Sequence, residues 1–275
     1  MALAGVLFNV FFVIIILVGI YSVYKWVNGN GDVSDLIIYS SPSDGLPAKS
    51  QNQTVFSGKD VPQLYAGGEY SVSTWIYVTN WGLNKGKNKP FLVLSGGAPE
   101  SSGFMTMVMY LGQFTNKLGV RVSYDSSAAS GGKLTYTGIY NAIVAGTTPY
   151  SDSSADFSKC DVESIDLQKW VNITAVLSGR TIDIYIDGKL SRSCLLDGLF
   201  TVDGDKTTLK LGGPNGFGGI IGMTRAANVA YSPDTVYSYY QQGPFQKFSL
   251  SSLDPSQYSL TVKRLNSVVF SSGSD

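Results

Sequence analysis

The chain has 275 residues, with 20 basic and 20 acidic side chains and a net charge of zero. That balance gives no broad electrostatic footprint for nucleic acid. Histidine is absent, which excludes a Ser-His-Asp or Cys-His catalytic group, a histidine zinc site and an imidazole pH switch.

From Ala2 to Tyr24 no side chain is charged. As a helix this stretch spans about 34 Å, enough to cross a hydrocarbon core of about 30 Å. Tyr21, Tyr24 and Trp26 cluster at its far end beside Lys25, the pattern of an interfacial aromatic anchor with a snorkelling lysine. A cleaved signal peptide is the competing reading. It normally has a basic start, a shorter apolar stretch and small residues at the cut, none of which is present. Residues 1–27 are therefore read as a transmembrane anchor and 28–59 as a linker or extended arm. "NGNGD" is a flexible joint, "VSDLIIY" is a short strand candidate, and "SSPSDGLPAKSQNQ" is polar and broken by Pro42 and Pro47.

Residues 60–245 read as an all-β domain. Turn signals separate "YSVSTWIYVTN", "PFLVLSGG", "FMTMVMYLG", "KLGVRVSYD", "KLTYTGI", "KWVNITAVLSG", "TIDIYIDG", "TTLKLGG" and "GFGGIIGMTRAANVAY". About ten strands need two packed sheets. Trp75 and Trp170 sit mid-strand as expected core anchors. In "RTIDIYIDGKL", Ile182, Ile184 and Ile186 alternate with polar residues, and Asp187-Gly188 signals a type I′ hairpin turn. "SPDTVYSYYQQGP" predicts a short helix with Ser232 as N-cap and Pro233 at its first position. The tail, 246–275, predicts one further strand over 258–270.

Cys160 and Cys194 are the only cysteines. A disulfide between them is expected; the alternative is two buried free thiols. Lys85, Lys87 and Lys89 in "NWGLNKGKNKP" form a candidate loop for an acidic glycan or an acidic partner surface, or else a solvated loop. Asp203 and Asp205 in "TVDGDKTT" are weak calcium candidates, against a plain Asp-Gly turn. The sequons at Asn52 and Asn172 match N-x-[ST], but Asn172 lies inside a strand pattern.

The order of these pieces resembles the laminin-G / concanavalin A-like superfamily of lectins and glucanases. The resemblance rests on the Trp-bearing opening strand, "KWVNITAVLSGRTIDIYIDGKL", "LKLGG", "GFGGIIGMTRAANVAYSP" and "YYQQGP", and covers about residues 60–245. It implies a two-sheet jelly-roll sandwich, here preceded by one transmembrane helix. The family spans enzymes, calcium lectins and protein-binding modules, so fold does not settle function. Glucanases of this kind carry two glutamates and an aspartate alternating on one strand. "DVESID" (Asp161, Glu163, Asp166) does not match that order and reads as a structural loop. Asp183 and Asp187 are about 13 Å apart on one strand, too far for a retaining pair.

The expected function is thus non-enzymatic, with no catalytic residues and no cofactor beyond candidate calcium. In the first form, a membrane-anchored structural protein docks its sandwich onto neighbouring proteins of an ordered assembly. The resemblance includes anchored proteins of large DNA viruses, so a minor capsid protein tethering a shell to an inner membrane is the concrete version. In the second form, a single-pass lectin-like receptor on the extracytoplasmic face of a cell membrane binds glycan.

Overall fold

A computed structural model describes residues 15–20, 35–41, 44–96, 105–125, 143, 158–202, 204, 206–245, 260–264 and 267–272. The chain divides into two units, Met1–Ser34 and Asp35–Asp275. In the first, residues 15–20 are helical, and Ile15, Ile16, Leu17, Val18 and Ile20 are exposed. No helix among the described residues is long and apolar enough to cross a membrane. Tyr21, Tyr24, Lys25 and Trp26 lie outside the described residues.

The second unit is a sandwich of two antiparallel sheets. One sheet runs β1 (Asp35–Tyr39), β15 (Gly218–Ala227), β4 (Glu69–Asn80), β10 (Trp170–Ser178), β11 (Thr181–Ile186) and β12 (Lys189–Leu195), with β2 (Leu46–Pro47) also on β15. The other runs β3 (Thr54–Ser57), β14 (Thr207–Leu211), β5 (Lys89–Gly96), β6 (Met107–Leu111), β7 (Leu118–Val122) and β9 (Ser158–Lys159). The short β8 (Tyr124–Asp125) and β13 (Leu199–Phe200) pair with each other. One face of each sheet meets in a single apolar core. Tyr70, Val72, Ile76 and Val78 of β4, with Val171, Ile173 and Leu177 of β10, pack there against Leu92, Leu94, Met107, Met109, Val120 and Leu209. Ile182 and Ile184 are fully buried in it and Ile186 packs against it. The turn that follows has φ of 50° at Asp187 and 75° at Gly188, as a type I′ hairpin requires.

The reading of 28–59 as an arm is corrected from residue 35 onward. β1 pairs with β15 from Asp35↔Ala227 to Tyr39↔Thr224, β2 pairs with Ile220 and Ile221, and β3 pairs with Thr208–Leu211. Ile38 is 8% exposed and belongs to the core. Pro47 is tolerated because it ends a two-residue strand at a sheet edge.

Trp75 is buried as expected, at 6% exposure, and Trp170 is half-buried, but neither lies in the core between the sheets. Their strand neighbours Ile76 and Val171 point into the core, so period-2 alternation puts both indoles on the outer face. That face is covered by α1 (Pro233–Gln242) and the chain after it. Trp75 stacks on Tyr240 at 5.6 Å, and Trp170 meets Phe245 edge-on at 5.1 Å. Ser232 caps α1 by accepting the Thr235 amide, and Pro233 starts the helix. The tail forms two strands, β16 (Leu260–Arg264) and β17 (Ser267–Ser272), paired only with each other, where one was expected. The "KLTYTGI" strand lies outside the described residues.

Candidate functional site

At the end of the sandwich where β4 begins, segments distant in sequence are knitted together by backbone bonds. The Gly67 amide donates to the Phe200 carbonyl at 3.0 Å, and Phe200 donates to Gly179 at 3.4 Å. Gly179 donates to Gly68 at 2.9 Å, and Thr201 to Ser123 at 3.1 Å. The Leu64 amide donates to Thr207 Oγ1 at 2.7 Å. β13 thus has β8 on one side and the 67 and 179 turns on the other, which leaves it no free edge. Backbone bonds of this density make a stiff frame, the kind of support on which a binding loop keeps its shape.

Two adjoining open cavities lie on this frame. One, of about 670 Å³, is lined by Gln63, Leu64, Tyr65, Ala66, Val202 and Gly204. The other, of about 390 Å³, is lined by Ala66, Arg180, Asp197, Leu199, Phe200 and Thr201. Two large side chains of this lining stand exposed, Tyr65 (61%) and Leu199 (50%). The Arg180 guanidinium donates to the carbonyls of Leu196 and Asp197, and so fixes that corner. Tyr124 Oη donates to Asp197 Oδ2 at 3.4 Å. Thr201 Oγ1 is buried without a hydrogen-bond partner. Asp197 is the one carboxylate among the described lining residues.

None of the described residues singled out from sequence lines these cavities. Cys160 and Cys194 form a disulfide with Cα atoms 5.8 Å apart. It joins the chain after β9 to β12, linking an edge of one sheet to an edge of the other. Lys85 and Lys87 are exposed, but Lys89 is not available to a partner, which corrects the three-lysine loop. Lys89 opens β5 and is fully buried. Its Nζ donates to the carbonyls of Lys87 and Gly112 at 3.3 and 3.2 Å and lies 4.4 Å from the Trp81 ring centroid. Burial holds its pKa below the ordinary lysine value. Asp203 and Asp205 lie outside the described residues, and among the described residues no cluster of His, Cys, Asp and Glu could hold a metal.

The acidic loop serves the scaffold. Asp161 accepts from the fully buried Arg121, from Lys117 at 2.9 Å and from the Val120 amide at 3.0 Å. Burial pushes its carboxyl up, but Arg121, Lys117 and that amide together hold it below the usual carboxylate range. Asp183 takes the Ser193 hydroxyl and Asp187 the Asn172 amide. Asn172 is fully buried and donates to Ser73 Oγ, so its sequon is closed in the folded protein. The cleft itself has no motif; its described lining comes from residues 63–66, 180, 197–202 and 204, which only the fold brings together.

No protein-family model matches the chain, and no curated protein matches it. Solved structures with a similar path include the botulinum neurotoxin serotype D binding domain, with 12% identity and a TM-score of 0.47 over 76% of this chain and 46% of that one. The same toxin's ligand-binding domain in complex with N-acetylneuraminic acid gives 11% and 0.46, over 76% and 46%. Domain 4 of AbnA, a GH43 extracellular arabinanase from Geobacillus stearothermophilus, in complex with arabinotriose, gives 14% and 0.41, over 76% and 88%. The chain spans about half the length of the neurotoxin domains it matches.

Proposed function

We propose that this chain is a non-enzymatic, membrane-anchored interaction protein. Residues 2–24 hold it in a bilayer, and a laminin-G-like jelly-roll sandwich docks through the rim cleft onto a neighbouring protein of an ordered assembly. A minor capsid protein that tethers a viral shell to an inner membrane is the concrete form. One observation carries the reading: a stiff, hydrogen-bonded rim displays two large exposed side chains, Tyr65 and Leu199, in the lining of an open cleft. Contiguous exposed apolar surface rimmed by polar groups marks interaction sites. With β1 starting at Asp35, the chain from Lys25 to Ser34 is ten residues and reaches at most about 35 Å, so the docking partner belongs close to the anchoring membrane.

A second reading, a single-pass lectin-like receptor with calcium as candidate cofactor, is favoured by Tyr65 and polar Gln63 in the lining of one cavity and Asp197 in that of its neighbour. The test is affinity capture of neighbours by the full chain from native membranes, after carbonate washing to check anchoring. Tyr65→Ala with Leu199→Ala should abolish capture of one specific protein. Capture that survives this change, or a chain washed off by carbonate, contradicts the proposal. Elution by free sugar would favour the receptor reading.

A further inference from the structure

The opposite end of the sandwich carries a second surface, independent of the cleft. There the β6–β7 turn presents Phe114 at 70% exposure. The neighbouring loop runs close to it: a Cβ built on Gly86 would lie 4.0 Å from the Phe114 ring. That loop displays Lys85 and Lys87, both exposed. Its Asn84 amide donates to the Gly216 carbonyl at 2.8 Å, and Gly213 in the same turn pairs with Lys49, a third exposed lysine. Segments 48–53, 81–88, 112–117 and 213–217 contain no acidic residue. The adjoining 163–169 loop, bonded to Asn116 through Ile165, adds Leu167 at 37% exposure. Its Asp166 is taken by Lys169 at 2.5 Å, which leaves Glu163 as the one exposed acid of that loop without an ion pair among the described residues. In a chain whose charge sums to zero, the described residues of this end are locally positive.

We infer that this tip docks on an anionic lipid surface, with Phe114 entering the interface and Lys49, Lys85 and Lys87 meeting headgroups. Charge complementarity gives the sign of the partner. The scale of the patch gives its kind. Two exposed apolar side chains fall short of the roughly 800 Å² per partner of a standard protein interface, whereas a bilayer needs only an apolar wedge ringed by cations. The tip is set off from Asp35 by the length of β4, twelve residues or about 40 Å. The sandwich therefore offers this contact at the end remote from the point where the N-terminal unit joins it.

The experiment uses the full chain in zwitterionic nanodiscs, flowed over supported bilayers of phosphatidylcholine alone or with about one-third phosphatidylserine. Each lysine near such a surface contributes about fivefold in affinity. Binding should be confined to the anionic bilayer and should fall roughly 25-fold in Lys85→Ser with Lys87→Ser. Phe114→Ser should lower it about tenfold. Both variants should melt like the parent, because the changed side chains are exposed. Equal binding to the two bilayers, or variants that bind as the parent does, would overturn the inference. So would binding to a polyglutamate-coated surface without binding to the anionic bilayer, which would make the partner an acidic protein.

Discussion

Asp35 is the residue on which the revised domain boundary can be tested most sharply. Its carboxylate accepts the Tyr231 hydroxyl at 2.9 Å and the Tyr239 hydroxyl as well, and it opens the strand that pairs with β15. Tyr231 is only 6% exposed. Asp35→Ala leaves its hydroxyl buried without that acceptor, a loss of about 1–3 kcal/mol. Tyr239 is more open and can turn to water, so its lost bond adds about 1 kcal/mol. The sum is about 2–4 kcal/mol, which in a domain of this size lowers Tm by roughly 5–12 °C. The assay is thermal unfolding of the full chain in detergent, followed by near-UV circular dichroism, with Lys85→Ala as an exposed control expected to stay within about 0.5 kcal/mol. A drop below about 2 °C for Asp35→Ala would show that β1 is not part of the cooperative unit, and the reasoning would fail.

Four further outcomes are expected on the same physical grounds. Gly188 has φ of +75°, and a Cβ there would lie 3.0 Å from the Tyr237 ring and 3.1 Å from Tyr240 Cβ, so Gly188→Ala should cost about 1–3 kcal/mol in urea unfolding; an unchanged midpoint would contradict the packing of α1 on the hairpin. Non-reducing mass spectrometry should give a linked Cys160–Cys194 peptide pair, and removing both sulfurs should destabilise the fold by about 4 kcal/mol in the chain-entropy model for a separation of 34 residues; two alkylatable thiols would sink it. Burial, aided by Asp35, pushes Tyr239 up to about 12 from 10.0 and pushes Tyr231 further up. Their stabilisation is complete below pH 10 and is lost as pH rises from there through the folded values, so urea midpoints should be level to about pH 10 and then fall. In the other direction, Asp161 is held low, so its contribution is present above about pH 4 and lost as pH falls through its folded value; a decline already complete by pH 9, or none on acidification, would refute these assignments.

Local chemistry carried much of the fold into view. The Asp187-Gly188 turn, the Ser232-Pro233 helix start and most strand positions follow from residue types acting over a few neighbours. Faces were harder. "YSVSTWIYVTN" is buried on both sides because α1 roofs the outer face, which erases the alternation that would have placed Trp75 outside the core. The arm was misread because β2 is two residues and β3 four, too short for a period, and prolines and polar residues dominate around them. Lys89 looks solvated beside Lys85 and Lys87; the Gly112 carbonyl, 23 residues on, joins the Lys87 carbonyl and the Trp81 ring in making its burial tolerable. The rim cleft leaves no local signal, since Tyr65, Arg180 and Leu199 meet only after both sheets have formed.

The central claim is that the rim cleft engages a specific protein neighbour at the membrane. The direct measurement is site-specific photo-crosslinking in the native membrane or particle, with the reactive group placed at Leu199 and, for comparison, at Leu190 on β12, which is also exposed (56%). The account predicts one discrete protein adduct from position 199, absent from position 190 and lost with Tyr65→Ala. No adduct from 199, or the same diffuse set of adducts from both positions, would contradict it.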